Sequence, residues 1–220
     1  MSALANDLVA LIGALAWYNL CLTVSAIAIA LPIACLFAVG RLSRHPLVYY
    51  PVTAYVNVLR SSPLLMIMFW AYYTGPMITG APTSAYTAAL IALAAFEVAY
   101  FTELVRAGLQ SIASGQRDAA LAVGLRPSQA MRLVILPQAL RRMLPSLISQ
   151  SIIAFQDSTI ASVIGVTDIF ATANIISARE QRPIEVYTAL AVIFFVLCYA
   201  LSKLVRALEA RVDARTAGAG

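Results

Sequence analysis

Charged side chains are scarce in this chain. Asp, Glu, Lys and Arg make up 11% of its 220 residues, whereas a soluble domain carries about 25%. Hydrophobic residues make up 61% of the chain, and its mean hydropathy is +0.84. This composition excludes a soluble globular protein. It predicts an all-α integral membrane protein, because the apolar runs are long enough to cross a bilayer as helices.

Several residue types that catalysis needs are nearly absent. The only lysine is Lys203, and no glycine-rich phosphate loop precedes it, so the chain cannot hydrolyse ATP by itself. The single histidine, His45, has no partners for a metal site, and neither a His-Glu-x-x-His nor a Gly-x-Ser-Gly motif occurs. No repeated signature surrounds Asp157 or Asp168. An intramembrane enzyme is therefore disfavoured, and we expect no cofactor or metal in the chain.

About five apolar runs are long enough to cross roughly 30 Å of hydrocarbon as helices. They are Leu20–Gly40, Pro63–Thr79, Ser84–Val105, Leu144–Val166 and Ile184–Leu204. The three cysteines, Cys21, Cys35 and Cys198, fall within these runs, so no disulfide is expected. Residues 1–18 are mildly amphipathic and are expected to lie along the outer interface of the membrane. Their apolar side is formed by Leu4, Leu8, Leu11, Leu15 and Tyr18.

The basic residues predict how the chain is oriented. Lys and Arg in short loops stay on the cytoplasmic side, and all but two of the 15 fall there if the amino terminus is outside. The two exceptions are Arg179 and Arg182. This orientation makes residues 19–210 a transmembrane domain and residues 211–220 a cytoplasmic tail. The net charge of +5 is thus a topology signal, and no basic soluble module for nucleic acid is present.

One long cytoplasmic loop, residues 108–142, contains no spanning run and alternates helical pattern with glycine and proline. Its centre reads Asp118-Ala119-Ala120, then Gly124, then Val134 and Leu136-Pro137. The pattern predicts a short helix over residues 116–123 that ends where Gly124 takes the left-handed conformation. Proline at 127 and 137 is expected to stop any helix from running through.

The loop resembles the signature of the permease subunits of bacterial ATP-binding-cassette (ABC) importers, which reads Glu-Ala-Ala, three residues, Gly, nine residues, Ile, one residue, Leu-Pro. Asp118 and Val134 depart from it conservatively. Residues 40–44, 55–64, 99–112 and 182–187 look like the polar amino acid subfamily. Residues 96–100 and 155–158 look most like one permease of glutamate/aspartate importers. The resemblance implies a type I ABC importer permease fold.

This resemblance also implies partners and a location. The expected partners are two ATPase subunits that bind ATP and magnesium, a second permease subunit, an extracytoplasmic binding protein, an amino acid substrate and membrane lipid. The location is the bacterial inner membrane, with many passes. The short helix would dock on an ATPase through a set of small and charged residues in the loop. That set is Arg117, Asp118, Ala119, Ala120, Gly124, Arg126 and Pro137.

Polar residues inside the spans are the candidates for a substrate pathway, because an ionisable group there costs about 2.5–3.5 kcal/mol on insertion scales. They are Glu97, Tyr100, Gln156, Asp157 and Ser158, with Arg179 at the outer entrance. Glu97 lines the pathway or forms a buried hydrogen bond to the partner permease. The group at 156–158 faces the pathway or joins helices in a structural network. Glu103 and Arg106 are predicted to form an ion pair at the gate.

The narrower function leaves alternatives open. The leading hypothesis is import of glutamate or aspartate; import of glutamine, histidine or arginine is the alternative. A stand-alone secondary carrier is disfavoured, because five spans are too few for an internal inverted repeat and none is visible.

Overall fold

The computed structural model describes residues 2–217, with the side chains of residues 6–203 and 205–207. That part of the chain is helical and contains no strand, as the sequence predicts. The α-helices are α1 Ser2–Ala14, α2 Cys21–Arg41, α3 Pro46–Arg60, α4 Leu64–Thr79, α5 Ala85–Gln110, α6 Ser114–Ala122, α7 Pro127–Ala130, α8 Leu136–Asp157, α9 Ile169–Glu180 and α10 Pro183–Ala217. Two π-helical turns and one 3₁₀ segment link some of them: Leu15–Leu20, Met131–Ile135 and Ser158–Ile164.

The amino-terminal segment continues the first span and is not a separate interfacial helix. The backbone stays helical from α1 through the π turn at Leu15–Leu20 into α2, and Asn6–Arg41 forms one apolar helix of 36 residues. Leu11 and Ala14 are buried against Ile169 and Ile176 around α9, so part of the apolar side expected at the interface packs inside the protein, whereas Leu8 is exposed. No break in the helix marks the expected boundary at residue 18. The side chain of Leu4 lies outside the described residues.

The second predicted span is the second half of a sharply bent pair. Helices α3 and α4 meet at 108°, with Pro63 in an extended conformation at the start of α4. Within the described residues, four helices are long and apolar enough to cross a membrane, and a fifth span results if the bent pair counts as one. The predicted number of about five is thus confirmed.

Helix α5 lies at the centre of the packing. It contacts α2, α3, α4 and α8, and most of its residues from Ala88 to Val105 are buried. Alanine recurs every fourth residue along the buried side of α2, at positions 26, 30, 34 and 38. Small residues let two helices approach closely where lipid supplies no hydrophobic drive for association.

Pro137 does not interrupt a helix, contrary to the prediction. Helical backbone continues from Pro127 to Ile164, with a π turn at Met131–Ile135 that ends two residues before Pro137. A π turn changes the hydrogen-bond spacing locally and so relieves the demand for the N–H that proline lacks. The fourth span therefore extends further toward the amino terminus than Leu144. Gly165, in the left-handed conformation, ends it.

Candidate functional site

Helix α6 forms the centre of the loop between α5 and α8. It runs from Ser114 to Ala122, slightly earlier than predicted, and the chain turns at Gly124, where φ is +89°. The backbone N–H of Leu125 donates to the carbonyl of Ala120 at 3.2 Å, and that of Gly124 donates to Leu121 at 3.0 Å. These bonds close the helix end in the way that a left-handed glycine allows. A β-carbon at Gly124 would meet nothing within 4 Å.

Most of the predicted docking residues are exposed. The exposed residues are Arg117, Asp118, Ala119, Gly124, Arg126 and Pro137. Ala120 differs: it is 5% exposed and faces the chain's own loop, so it is not part of the presented surface. Helical spacing explains this, because Ala120 lies on the side of α6 that packs against the π turn at Met131–Ile135.

Side-chain hydrogen bonds attach the α6 loop to α8. An Arg142 Nη atom donates to the carbonyl of Ser111 at 2.6 Å, and the Gln138 amide donates to Gln116 Oε1 at 3.3 Å. At the start of α7, the side chain of Gln129 accepts from the backbone N–H of Arg126 at 2.9 Å. The loop is therefore attached to α8 around the start of α6, and its turn into α7 is closed by a local hydrogen bond.

Glu97 is fully buried between α5 and α8. The Gln150 amide donates to both carboxylate oxygens of Glu97, at 3.2 and 3.3 Å. This bond lies within the chain, whereas the sequence left open a place along the pathway or a bond to the partner permease. Within the described residues the Glu97 side chain is fully enclosed.

The remaining pathway candidates are not gathered in one place. Tyr100 is half-buried, packs on the Phe96 ring and lies under the guanidinium of Arg60. The Gln156 amide is exposed and lies 3.3 Å from Cys198 Sγ, and Asp157 is half-buried. The side chain of Ser158 points the other way and is buried. The group at 156–158 is therefore split between two sides of the fourth span, and Ser158 joins helices in a structural network.

Ser158 belongs to a buried polar network that the sequence analysis missed. The Asn19 amide donates to Ser158 Oγ at 3.0 Å and to Asp168 Oδ2 at 3.3 Å, and Asn19 Oδ1 accepts from the Ile169 N–H at 3.1 Å. Asp168 also caps α9 by accepting from the Ala171 N–H at 2.8 Å. Burial raises the pKa of Asp168, and these hydrogen bonds oppose that rise. The sequence does hold a signal for this network, because Asn19 directly precedes the first apolar run and a polar side chain in a span needs a hydrogen-bond partner.

Glu103 is the centre of an arginine cluster larger than the predicted pair. Arg106 donates to Glu103 Oε1 through Nε at 2.6 Å, as its spacing in the helix suggests. Arg41, at the end of α2, donates to Glu103 Oε2, and Arg60, at the end of α3, approaches the same oxygen at 3.9 Å. One carboxylate thus faces three guanidinium groups from three helices.

Arg179 is exposed at the end of α9 and already carries two partners. It bonds Glu180 and Asp7, both at 2.8 Å, and the hydrogen bond to Glu180 raises the pKa of the guanidinium. Arg182 lies 3.6 Å from Glu185. The charge of Arg179 is compensated locally, which argues against an open receptor for an acidic substrate.

His45 is exposed, and no group of three or more potential metal ligands occurs among the described residues. Cys21, Cys35 and Cys198 are all free.

Comparison with known proteins identifies the family. Residues 30–214 match the family described as "binding-protein-dependent transport system inner membrane component". The chain is 39% identical over 197 residues to the glutamate/aspartate import permease protein GltK of Escherichia coli O6:H1, covering 86% of this chain and 88% of the relative. It is 35% identical over 174 residues to the probable glutamine ABC transporter permease protein GlnP of Bacillus subtilis, covering 78% and 79%.

Solved structures share the fold. A crystal structure of an amino acid ABC transporter with histidines matches with a TM-score of 0.88 at 34% identity, covering 95% of this chain and 97% of that chain. The inward-facing MetNI methionine ABC transporter matches at 0.67 and 22% identity, covering 94% and 99%, which supports the fold alone. The chain therefore belongs to the binding-protein-dependent transport system inner membrane components, as a multi-pass inner-membrane permease of the polar amino acid ABC importers.

Proposed function

We propose that this permease imports an acidic amino acid, glutamate or aspartate, within an ATP-driven complex. The observation that carries the ATP-driven part is α6: a short exposed helix, closed by a left-handed glycine and attached to α8, outside the packed spans. Two ATPase subunits would bind ATP and magnesium and seat α6 of each permease in a groove. An extracytoplasmic binding protein would deliver the substrate to a pair of permeases.

The attachment of α6 gives the proposal its mechanics. When the ATPases close, α6 would move with them, and the bonds from Arg142 to Ser111 and from Gln138 to Gln116 would pass the movement to α8. Helix α8 holds Gln150 against Glu97 of α5. Closure would therefore bias the packing of the two helices that carry the buried carboxylate.

Cysteine crosslinking tests the docking. In a chain whose three native cysteines are replaced by alanine, Ala119→Cys is expected to crosslink to the ATPase of the assembled complex, because Ala119 is exposed on α6. The matched control is Ala81→Cys, an exposed alanine in the loop after α4. Equal crosslinking at both positions, or none at Ala119→Cys in an active complex, would contradict docking through α6.

The same two variants test the orientation. We propose that the amino terminus is outside and the carboxyl terminus cytoplasmic, which places the loop after α4 outside and α6 inside. A membrane-impermeant thiol reagent added to intact cells is then expected to label Ala81→Cys and to spare Ala119→Cys. The reverse labelling would overturn the orientation.

The acidic substrate rests on the likeness to GltK, whose name gives glutamate and aspartate. The likeness to GlnP and to the transporter with histidines favours an amide or basic substrate as the second candidate. The test is uptake of labelled glutamate by the reconstituted complex, with unlabelled aspartate, glutamine, histidine and arginine as competitors. Competition by aspartate alone supports the proposal, whereas competition by glutamine or histidine at similar concentrations favours the second candidate.

Arg179 has a defined part in that test. A substrate carboxylate would have to displace Asp7 and Glu180 from the guanidinium, each at 2.8 Å. We therefore expect Arg179→Ala, like its neighbour control Arg182→Ala, to leave the ratio of glutamate to glutamine uptake unchanged. A selective loss of glutamate uptake in Arg179→Ala alone would assign substrate recognition to this arginine.

A further inference from the structure

The arginine cluster around Glu103 is short of negative charge. Three guanidinium groups share one carboxylate, the only carboxylate of the described residues within 4 Å of Arg41, Arg60 or Arg106, which leaves an excess of two positive charges. The side chains of Arg41 and Glu103 are 13% and 16% exposed, so water can screen this excess only partly. A partly buried excess charge is costly unless a counter-ion compensates it.

Two arginines of the cluster have donors to spare. Arg41 Nε is buried and has no hydrogen-bond acceptor among the described residues. Arg60 approaches Glu103 only at 3.9 Å, beyond hydrogen-bond distance, and its other close neighbour is the Tyr100 ring at 5.3 Å. Its side chain is 40% exposed, so it can reach a ligand from outside. The guanidinium fork matches phosphate oxygens geometrically.

The cluster lies near the ends of α2, α3 and α5 on the side of α6, where a spanning helix would leave the hydrocarbon. Arg41 is the last residue of α2, and Glu103 is seven residues before the end of α5 at Gln110, or about 10 Å along the helix. Helix α3, which ends at Arg60, has 15 residues and is bent away from α4 by 108°. It buries Val56 and exposes Leu47, Tyr50 and Val58 along its opposite side, an arrangement typical of a helix in contact with lipid at an interface.

We propose that Arg41, Arg60 and Arg106 bind the phosphate of an anionic phospholipid at the membrane surface on the side of α6. Arg60 would supply the main contact, because it is more exposed than the other two arginines and, unlike them, makes no hydrogen bond to Glu103. Glu103 would align the arginines, and its negative charge would at the same time repel the phosphate and so weaken lipid binding.

The test is lipid retention by the full-length chain purified in detergent micelles and titrated with phosphatidylglycerol, read by native mass spectrometry. Wild type is expected to retain phosphatidylglycerol in preference to phosphatidylcholine. Loss of a charge-assisted contact weakens binding about tenfold or more, which we expect for Arg60→Gln. The matched control is Arg44→Gln, an exposed arginine outside the cluster, which should keep wild-type affinity.

A second variant should change the affinity for phosphatidylglycerol in the opposite direction. Glu103→Gln removes the competing carboxylate, so phosphatidylglycerol should bind more tightly, a change that a purely structural role of the cluster does not produce. Arg60→Gln should fold normally, because an ion pair at 3.9 Å on a side chain this exposed contributes little to stability. It therefore remains informative if Glu103→Gln does not fold.

Three results would overturn the proposal. They are equal affinity of wild type and Arg60→Gln for phosphatidylglycerol, equal retention of phosphatidylcholine and phosphatidylglycerol, and displacement of the lipid by inorganic phosphate at comparable concentration. The last would make free phosphate the ligand. Because the readout is lipid retention and not transport, the outcome is independent of the proposed substrate.

Discussion

Replacing Asn19 with leucine would remove the centre of the buried network that joins the first span to α9. Asn19 is fully buried, and its amide makes three bonds: to Ser158 Oγ at 3.0 Å, to Asp168 Oδ2 at 3.3 Å and from the Ile169 N–H at 3.1 Å. Leucine has nearly the same size but neither donates nor accepts. The change therefore removes the hydrogen bonds with little change in volume.

The cost follows from the groups left behind. The Ile169 N–H and Asp168 Oδ2 would be buried without a partner, and each unsatisfied buried group costs about 1–3 kcal/mol. Ser158 loses less, because its hydroxyl still donates to the Phe155 carbonyl at 2.7 Å. We expect Asn19→Leu to lower the free energy of unfolding by about 2–5 kcal/mol.

Thermal unfolding of the full-length chain in mild detergent measures the effect, with Thr23→Val as the matched control. Thr23 is also buried and donates to the Asn19 carbonyl at 2.7 Å, but valine there leaves the three amide bonds intact. Thr23→Val should lower the free energy of unfolding by about 0.5–1.5 kcal/mol. Equal destabilisation by the two variants would refute the network as the source of the cost.

Two glycine pairs give further predictions. Gly124→Trp should release the ATPase and abolish uptake while the chain stays folded. The control Gly80→Trp imposes similar strain, because φ is +69° there and its surroundings are also open, but it should keep the ATPase bound. Co-purification of the ATPase with each variant measures the difference. Gly108→Ala should lower stability by about 1–3 kcal/mol, because its β-carbon would lie 2.8 Å from Met143, whereas Gly13→Ala meets nothing and should not destabilise. Equal unfolding midpoints for the last pair would contradict the packing argument.

Hydropathy and glycine placement predicted much of the fold. The apolar runs locate the spans because lipid requires long apolar helices, and Gly124 locates the end of α6 because few other residues take its conformation. The prediction at Pro137 was wrong because a π turn restores continuity, and a turn of that kind has no simple composition signal. The sequence predicts that residues 1–18 lie at the interface, whereas Leu11 packs against α9. An apolar side in a sequence does not indicate whether lipid or another helix covers it.

The tertiary part of the site was largely beyond the sequence. The spacing of Glu103 and Arg106 predicts their contact, but Arg41 is 62 positions away and reaches Glu103 only because α2 packs along α5. Asn19 meets Ile169 across 150 positions for the same kind of reason. Side-chain direction on a helix can be inferred from periodicity, whereas the identity of the facing helix depends on the whole packing.

The most direct test of the account is the ATP dependence of uptake. The chain would be assembled with its ATPase, partner permease and binding protein in proteoliposomes, and labelled glutamate uptake would be measured with ATP, without ATP and with the Gly124→Trp chain. We predict uptake only with ATP and the unmodified chain, together with ATPase activity that the loaded binding protein stimulates. Equal uptake without ATP, or normal ATP-driven uptake by Gly124→Trp, would contradict coupling through α6.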